Sequence, residues 1–287
     1  MTVLEGIQRS SEFLAKKGVD SPRLHAELLL ARVIGLARMQ LYLNFERALS
    51  TNETDALREL VKRRGQREPL QHILGSTSFC GFEISVNRRV LIPRPETELL
   101  AEQGWKYLNQ LDTAGEQSLN ALDLGTGSGC LAITLAAKCP TLRVCATDIS
   151  PEAIAVAREN ASNNGVGERI QFLESDGFAA MEPDMQFNLI ISNPPYIPSA
   201  EIDTLSPEVR DYDPRRALDG GLDGLDLFRR LAREAAAFLK PGGKLMFEFG
   251  DGEAEAIRGI LEEQKWIVEA MTEDYTGRLR MLVARWK

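Results

Sequence analysis

The chain has 287 residues, 44% hydrophobic and 26% charged, with a net charge of −8. That length supports one large domain or a large and a small one, and the composition is that of a globular protein. The acid excess argues against a partner gripped along a phosphate backbone, so no nucleic-acid substrate is expected.

Residues 1–73 read as helical. The first stretch, VLEGIQRSSEFLAKKG, places Leu4, Ile7 and Leu14 at near-helical spacing, and it lacks the apolar core of a signal peptide. The second has Ser21 as N-cap and Pro22 at the first helical position, then Leu24, Leu28 and Ala31 as a stripe that Gly35 ends. The third starts at Ser50 or Thr51 and stripes through Leu57, Leu60 and Val61 to Gly65. The two histidines, His25 and His72, are far apart in sequence, and no metal site or triad is expected from them.

From residue 74 the period changes. Phe82, Ile84 and Val86 alternate as in a strand, and Cys80-Gly81 sits where a hairpin would turn. Residues 74–92 are expected to be a β-hairpin linker. From 93 to 287 strands and helices alternate: strands at 121–125, 142–148, 170–176, 187–193 and 244–250, and helices at 130–138, 151–165, 225–240 and 253–264. Two further strands close the chain without a helix between them, which predicts a hairpin with one antiparallel member. Such alternation implies an α/β domain with a mostly parallel sheet covered on both faces. No run reaches the length of a membrane span. Cys80, Cys130, Cys139 and Cys145 form no C-x-x-C pair, and reduced thiols in a cytoplasmic protein are expected.

In an open parallel sheet, ligands sit at the carboxyl ends of the strands near the switch point. The first such end carries Asp123-Leu124-Gly125-Thr126-Gly127-Ser128-Gly129, where glycines allow a tight turn and close approach of a ligand. The second carries Asp148, suited to accept hydrogen bonds from both ribose hydroxyls of a nucleoside, and the third carries Asp176, placed to meet an adenine edge. A dinucleotide fingerprint would want glycine at 130, where this chain has Cys130. G-x-G-x-G followed by an acidic second-strand end fits an adenosyl ligand without a pyrophosphate, and S-adenosylmethionine is the expected cofactor. Its sulfonium and ammonium are cations that Asp123 would favour. The fourth end reads Asn193-Pro194-Pro195-Tyr196 after an apolar strand. The prolines cannot continue a ladder and stiffen the tip. The carbonyls of Asn193 and Pro194, the Asn193 amide and the Tyr196 ring are expected to form a mould for a planar –NH2 group. A plain surface loop ended by prolines is the bland alternative, which the other strand ends argue against.

This combination resembles the amino-methyltransferases, which act on adenine N6, cytosine N4 or glutamine N5. The segments LIPRPETELL (91–100), LDLGTGSGCLAI (122–133), ISNPPYIP (191–198), DPRRALDGGLDGL (213–225) and LKPGGKLMFEFG (239–250) together resemble the PrmC/HemK family across essentially the whole chain. The resemblance implies a Rossmann-like class I methyltransferase domain, a small helical N-terminal domain that binds the protein substrate, and N5-methylation of the glutamine in the Gly-Gly-Gln motif of peptide chain release factors. It places cofactor contacts on Gly125 to Gly129, Asp148 and Asn193, and substrate contacts on Asn193 to Tyr196. A sister group that modifies a ribosomal protein shares NPPY but usually lacks the run at Arg94 to Glu98; a nucleic-acid amino-methyltransferase is the other alternative. The family often has a bulky residue after the third-strand Asp, where this chain has Gly177: either Phe178 takes over the packing on the adenine or the ring is held less tightly. Thr97 or Glu96 is expected near a helix cap, with a second role in shaping the pocket. Glu248 and Asp251 either line the pocket or are solvated. The loop 198–224 is long enough to be a functional lid.

Overall fold

The computed structural model describes residues 1–116 and 118–287. Two units, each with its own hydrophobic core, make up the chain: Met1–Ser76 with Ser206–Tyr212, and Thr77–Leu205 with Asp213–Lys287.

The first unit is helical: α1 (Val3–Lys16), α2 (Pro22–Ile34), α3 (Thr51–Gly65) and α4 (Leu70–Leu74). Thr2 and Ser50 each close a capping box with the glutamate three residues on, Glu5 and Glu53, satisfying donors that would otherwise be orphaned. Ser21 departs from the expected cap: it has a φ of 48° and its hydroxyl caps nothing, while Pro22 at the first turn and Gly35 in the left-handed region delimit α2. Ile7, Leu14, Leu29, Leu30 and Leu57 meet in the core.

The second unit opens with β1 (Ser76–Phe79) and β2 (Phe82–Ser85), joined by Cys80 and Gly81 at φ of 50° and 86°. Two successive positive values are what a two-residue hairpin turn needs. This hairpin, read in sequence as a linker, shares a core with the rest of its unit: Phe79 and Ile84 pack with Leu100, Leu131 and Ala157. Then follow α5 (Pro95–Thr113), β3 (Asn120–Leu124), α6 (Cys130–Lys138), β4 (Arg143–Asp148), α7 (Pro151–Asn163), β5 (Ile170–Glu174) and β6 (Phe187–Ser192). The short α8 (Pro207–Arg210) belongs to the helical unit; α9 (Asp226–Glu234), β7 (Leu239–Glu248), α10 (Ala254–Glu263), β8 (Trp266–Glu273) and β9 (Leu279–Trp286) complete the chain.

The sheet order is β5-β4-β3-β6-β7-β9-β8, parallel from β5 through β7, with β9 antiparallel to both its neighbours. The order reverses between β3 and β6, so their carboxyl ends flank the crevice where such sheets bind ligands. One expectation fails: the helix expected over 225–240 stops short, and Pro241-Gly242-Gly243, just past its expected end, lies inside β7, where the register against β6 shifts. Helix α9 stops at Glu234 and a single-turn 3-10 segment carries the chain into that strand.

Candidate active site

A cavity of about 840 Å³ opens over the carboxyl ends of β3, β4, β5 and β6. Its floor is the loop leaving β3. Gly125 and Gly127 have φ of 77° and 54°, both line the cavity, and a Cβ at either would meet no atom within 4 Å. The floor is therefore open where a side chain would stand, and only glycine adopts this backbone cheaply. The loop is tied to β4: the amides of Gly125 and Thr126 donate to the Thr147 carbonyl at 2.9 and 2.8 Å. Asp148 lines the wall, its Oδ2 accepting from the Gly127 amide and its Oδ1 from the Ser150 amide, both at 2.9 Å.

Thr126, Ser128 and Gly129, the other residues of the glycine loop, do not line the cavity and bond or pack against the scaffold. Thr126 is buried and donates to Asp123 Oδ2 at 2.6 Å. Ser128 is buried and its carbonyl accepts from Asn160 Nδ2, whose amide group also bonds both the N–H and the C=O of Ser85 in β2. Gly129, at φ of 83°, packs against Ala157, 3.1 Å from where its own Cβ would sit. Phe178 is 4% exposed, stacked on Phe238 at 5.1 Å, and absent from the cavity wall. Gly177, with φ of 58°, turns the next side chain inward. The space left at Gly177 is taken by Arg230 of α9, whose guanidinium carbon lies 2.5 Å from where a Cβ would be. Arg230 lines the cavity and binds both the carboxylate and the carbonyl of Asp176 at 2.5 and 2.6 Å. Ile149, unforeseen in the sequence, is a half-exposed aliphatic on the wall next to Asp148. Its place directly after the second-strand carboxylate is the signal that could have found it.

Asp123 lies behind the wall, 0% exposed. Its Oδ2 accepts from Thr126 and from the Ala132 amide, while Oδ1 is buried with no hydrogen-bond partner among the described residues. Burial pushes its carboxyl up to about 7, against the two donors that favour the charge. An unpaired buried carboxylate next to Leu124 and Gly125 suits a cationic ligand. With the open glycine floor and Asp148, the residues present fit S-adenosylmethionine.

Of the four residues ending β6, Asn193 and Pro195 line the cavity. Pro194 is buried, and Tyr196 is packed against the core around β7, with its hydroxyl donating to Glu248 Oε1 at 3.2 Å. The ring expected to face a substrate amide is thus partly buried. Glu248, left open in the sequence between wall and solvent, is 2% exposed, whereas Asp251 is exposed and pairs with Arg278. Burial pushes the Glu248 carboxyl up; hydroxyl bonds from Thr97 and Tyr196 oppose this, and Arg280 opposes Glu96. Thr97 Oγ1 lies 2.6 Å from Glu248 Oε2 and accepts from Asn193 Nδ2 at 3.2 Å.

The run at Arg94 to Glu98 is a hub. Pro95 starts α5, but no side chain caps it. Arg94 pairs with buried Asp213 at 2.6 Å, Thr97 reaches Asn193 and Glu248, and Glu98 accepts from the Cys80 amide of the hairpin turn. The second half of the long loop folds back on the tip: the Ile197 amide donates to Leu218 and its carbonyl accepts from Gly220, both at 2.9 Å. Pro214, Arg216 and Asp219 to Gly221 complete that side of the cavity.

Among the described residues no cluster of metal-ligating side chains occurs, and no helix is long and apolar enough to cross a membrane. Residues 5–75 match the PrmC N-terminal domain and residues 105–206 the methyltransferase small domain. A release factor glutamine methyltransferase of Geobacter sulfurreducens is 44% identical, covering 99% of this chain and 96% of the relative. Another, of Chlorobaculum tepidum, is 46% identical over 96% of this chain and 94% of the relative. Among solved structures, the N-terminal domain of human METTL16 in complex with SAH superposes with a TM-score of 0.52 at 14% identity, covering 72% of this chain and 76% of that one. That likeness concerns the fold alone.

Proposed function

The chain belongs to the release factor glutamine methyltransferases, and from that membership and its site we propose that it methylates N5 of the glutamine in the Gly-Gly-Gln motif of peptide chain release factors, in the cytoplasm. Gly125, Gly127 and Asp148 would hold S-adenosylmethionine, whose sulfonium would make a methyl group electrophilic. The residues of this chain do the rest. A carboxamide nitrogen is a poor nucleophile because its lone pair is delocalised into the carbonyl. Asn193, on the cavity wall, accepts one of its hydrogens through Oδ1, orients it and stabilises the positive charge that develops on it. No general base is required, since the methylated amide cation is acidic and loses its proton afterwards. Asp123 contributes through charge, favouring the cationic donor over its neutral product.

The observation that carries this reading is Asn193 held at the end of β6 on the same cavity wall as Gly125, Gly127 and Asp148. The helical unit, matched to the PrmC N-terminal domain, is read as the part that engages the release factor. Labelled S-adenosylmethionine incubated with purified release factor tests the function. Label should map to the Gly-Gly-Gln glutamine and vanish when that glutamine is substituted. Asn193→Ala should lower kcat by about 10²–10³, the cost of losing one preorganised hydrogen-bonding group, with cofactor affinity nearly unchanged. Label on DNA or RNA with none on the factor would reverse the assignment.

A further inference from the structure

We infer that Thr97 is a positioning residue for the methyl transfer: a one-way chain of hydrogen bonds, Asn193 to Thr97 to Glu248, sets which end of the Asn193 amide faces the cavity. The inference rests on the role of Asn193 proposed above and deepens it.

The chain's direction follows from what each group can donate. Two hydroxyls donating to Glu248, one to each oxygen, favour its ionised form against the burial that opposes it; a carboxylate only accepts, and a threonine hydroxyl has one proton. Glu248 receives two hydroxyls, Thr97 at 2.6 Å and Tyr196 at 3.2 Å, one on each oxygen. The Thr97 proton is committed to the shorter of these bonds, so toward Asn193 its oxygen can only accept. The amide atom 3.2 Å away must then be Nδ2. Oδ1 is left facing away from Thr97, free to accept from a substrate –NH2. Turned over, Asn193 would place its oxygen against a hydroxyl with no proton to give and its own –NH2 against that of the substrate. Both contacts would be repulsive.

Burial makes the arrangement strict. Thr97 and Glu248 are each 2% exposed, and water has little access to substitute for either. Thr97 is absent from the cavity wall, so it acts through Asn193 without touching substrate. Its hydroxyl caps no helix end: Arg94 is the residue flanking the start of α5, and Thr97 lies one turn inside. That hydroxyl meets a residue 96 positions away.

The test compares wild type, Thr97→Val and Thr97→Ser for kcat on release factor and for S-adenosylhomocysteine affinity by calorimetry. Valine keeps the shape and removes the hydroxyl. Thr97→Val should lose about tenfold or more in kcat, since a misoriented amide is expensive in a near-attack geometry, while cofactor affinity stays within about twofold. Thr97→Ser, which keeps the hydroxyl and loses the methyl, should recover most of that loss. A Thr97→Val kcat within about twofold of wild type overturns the inference. So does a serine variant as impaired as the valine one, because packing of the methyl would then be what matters. A parallel loss of cofactor affinity also overturns it, as the sign of general disruption. If wild type itself places no label on glutamine, the functional reading fails and takes this inference with it; a labelled wild type with an unaffected valine variant sinks the inference alone.

Discussion

Asp123 sets stability against function within one side chain. Burial raises its carboxyl from 3.8 to about 7, so the folded chain holds this proton more tightly than the unfolded chain does. For a raised acid, folding stability falls as pH climbs from the unfolded value through the folded one, at about 1.4 kcal/mol per unit while the two states differ by a proton. Asp123→Asn does not titrate. Its side-chain oxygen can still accept from Thr126 and Ala132, and its –NH2 takes the place of the unpaired Oδ1. Thermal unfolding without ligand should show the variant gaining on wild type as pH rises from 5 to 8. S-adenosylmethionine should bind the variant more weakly, its cations having lost a charge behind the wall. Constant separation of the two melting curves across that range would refute the assignment. At this scale the sequence was informative wherever a residue ended a strand. Gly125, Asp148 and Asn193 follow from periodicity plus the rule that ligands gather at carboxyl ends. The burial of Phe178 against Phe238, next to the positive φ of Gly177, has no signature in the local sequence. The Thr97–Glu248 contact joins residues 151 apart, and no local pattern announces it.

The turn between β3 and α6 divides its labour among its glycines, and substitutions should separate the shares. Alanine at Gly127 meets no neighbour but must adopt φ of 54° and projects into the cavity. The backbone cost is roughly 1–2 kcal/mol, and the larger effect falls on the ligand. Gly127→Ala should therefore weaken S-adenosylhomocysteine binding by about tenfold or more with a shallow drop in Tm. Alanine at Gly129 meets the Cβ and Cα of Ala157 at 3.1 and 3.2 Å, and backbone cannot move aside as a flexible side chain would. Gly129→Ala should cost more stability than Gly127→Ala, because α6 and α7 must separate. Calorimetry and thermal unfolding on both variants check the pair; equal Tm losses would contradict the division. The family resemblance implied cofactor contacts on all five residues from 125 to 129. What the spacing could not show is how the positions divide: Thr126 and Ser128 are buried, the Thr126 hydroxyl on Asp123 and the Ser128 carbonyl on Asn160, while Gly125 and Gly127 line the cavity. The element order was legible because each strand and helix carries its own period. Pro241-Gly242-Gly243 was not, since a bulge within a strand and a helix terminator share the same residues.

The topology of the whole chain contains a detour. After Asn193-Pro194-Pro195-Tyr196, the segment Ser206–Tyr212 leaves the methyltransferase unit and becomes part of the helical one. Glu208 accounts for this attachment: Arg64 and Arg67 of the α3 region each hold one of its oxygens at 2.7 Å, and the Tyr212 hydroxyl donates to the Gln66 carbonyl. Arg64 is 4% exposed, and its Nε donates to His25 Nδ1, an acceptor only while the imidazole is neutral. Burial and the neighbouring guanidinium lower the His25 pKa and keep it so. For Glu208, burial alone would raise the pKa, but the two arginines prevail and hold it below its ordinary value of 4.5. A depressed acid contributes stability that is present above its unfolded pKa and lost as pH falls through the folded one, so the clamp is fully engaged at neutral pH. Glu208→Gln removes the charge from both pairs and leaves Arg64 buried without a counter-ion, a change worth about 3–5 kcal/mol where the site is dry and less where water enters. Opening of 206–212 should then precede global unfolding, and trypsin should cut after exposed Arg210 at least about tenfold faster than in wild type. Cofactor affinity should be unchanged, since every residue lining the cavity belongs to the other unit. Methylation of release factor should fall with the clamp, because the detour begins ten residues after Tyr196 and ends one residue before Asp213, the partner of Arg94. Mass mapping of a short tryptic digest at neutral pH reads the result, and an unchanged cleavage rate at Arg210 would show that the ion pairs do not hold this segment in place.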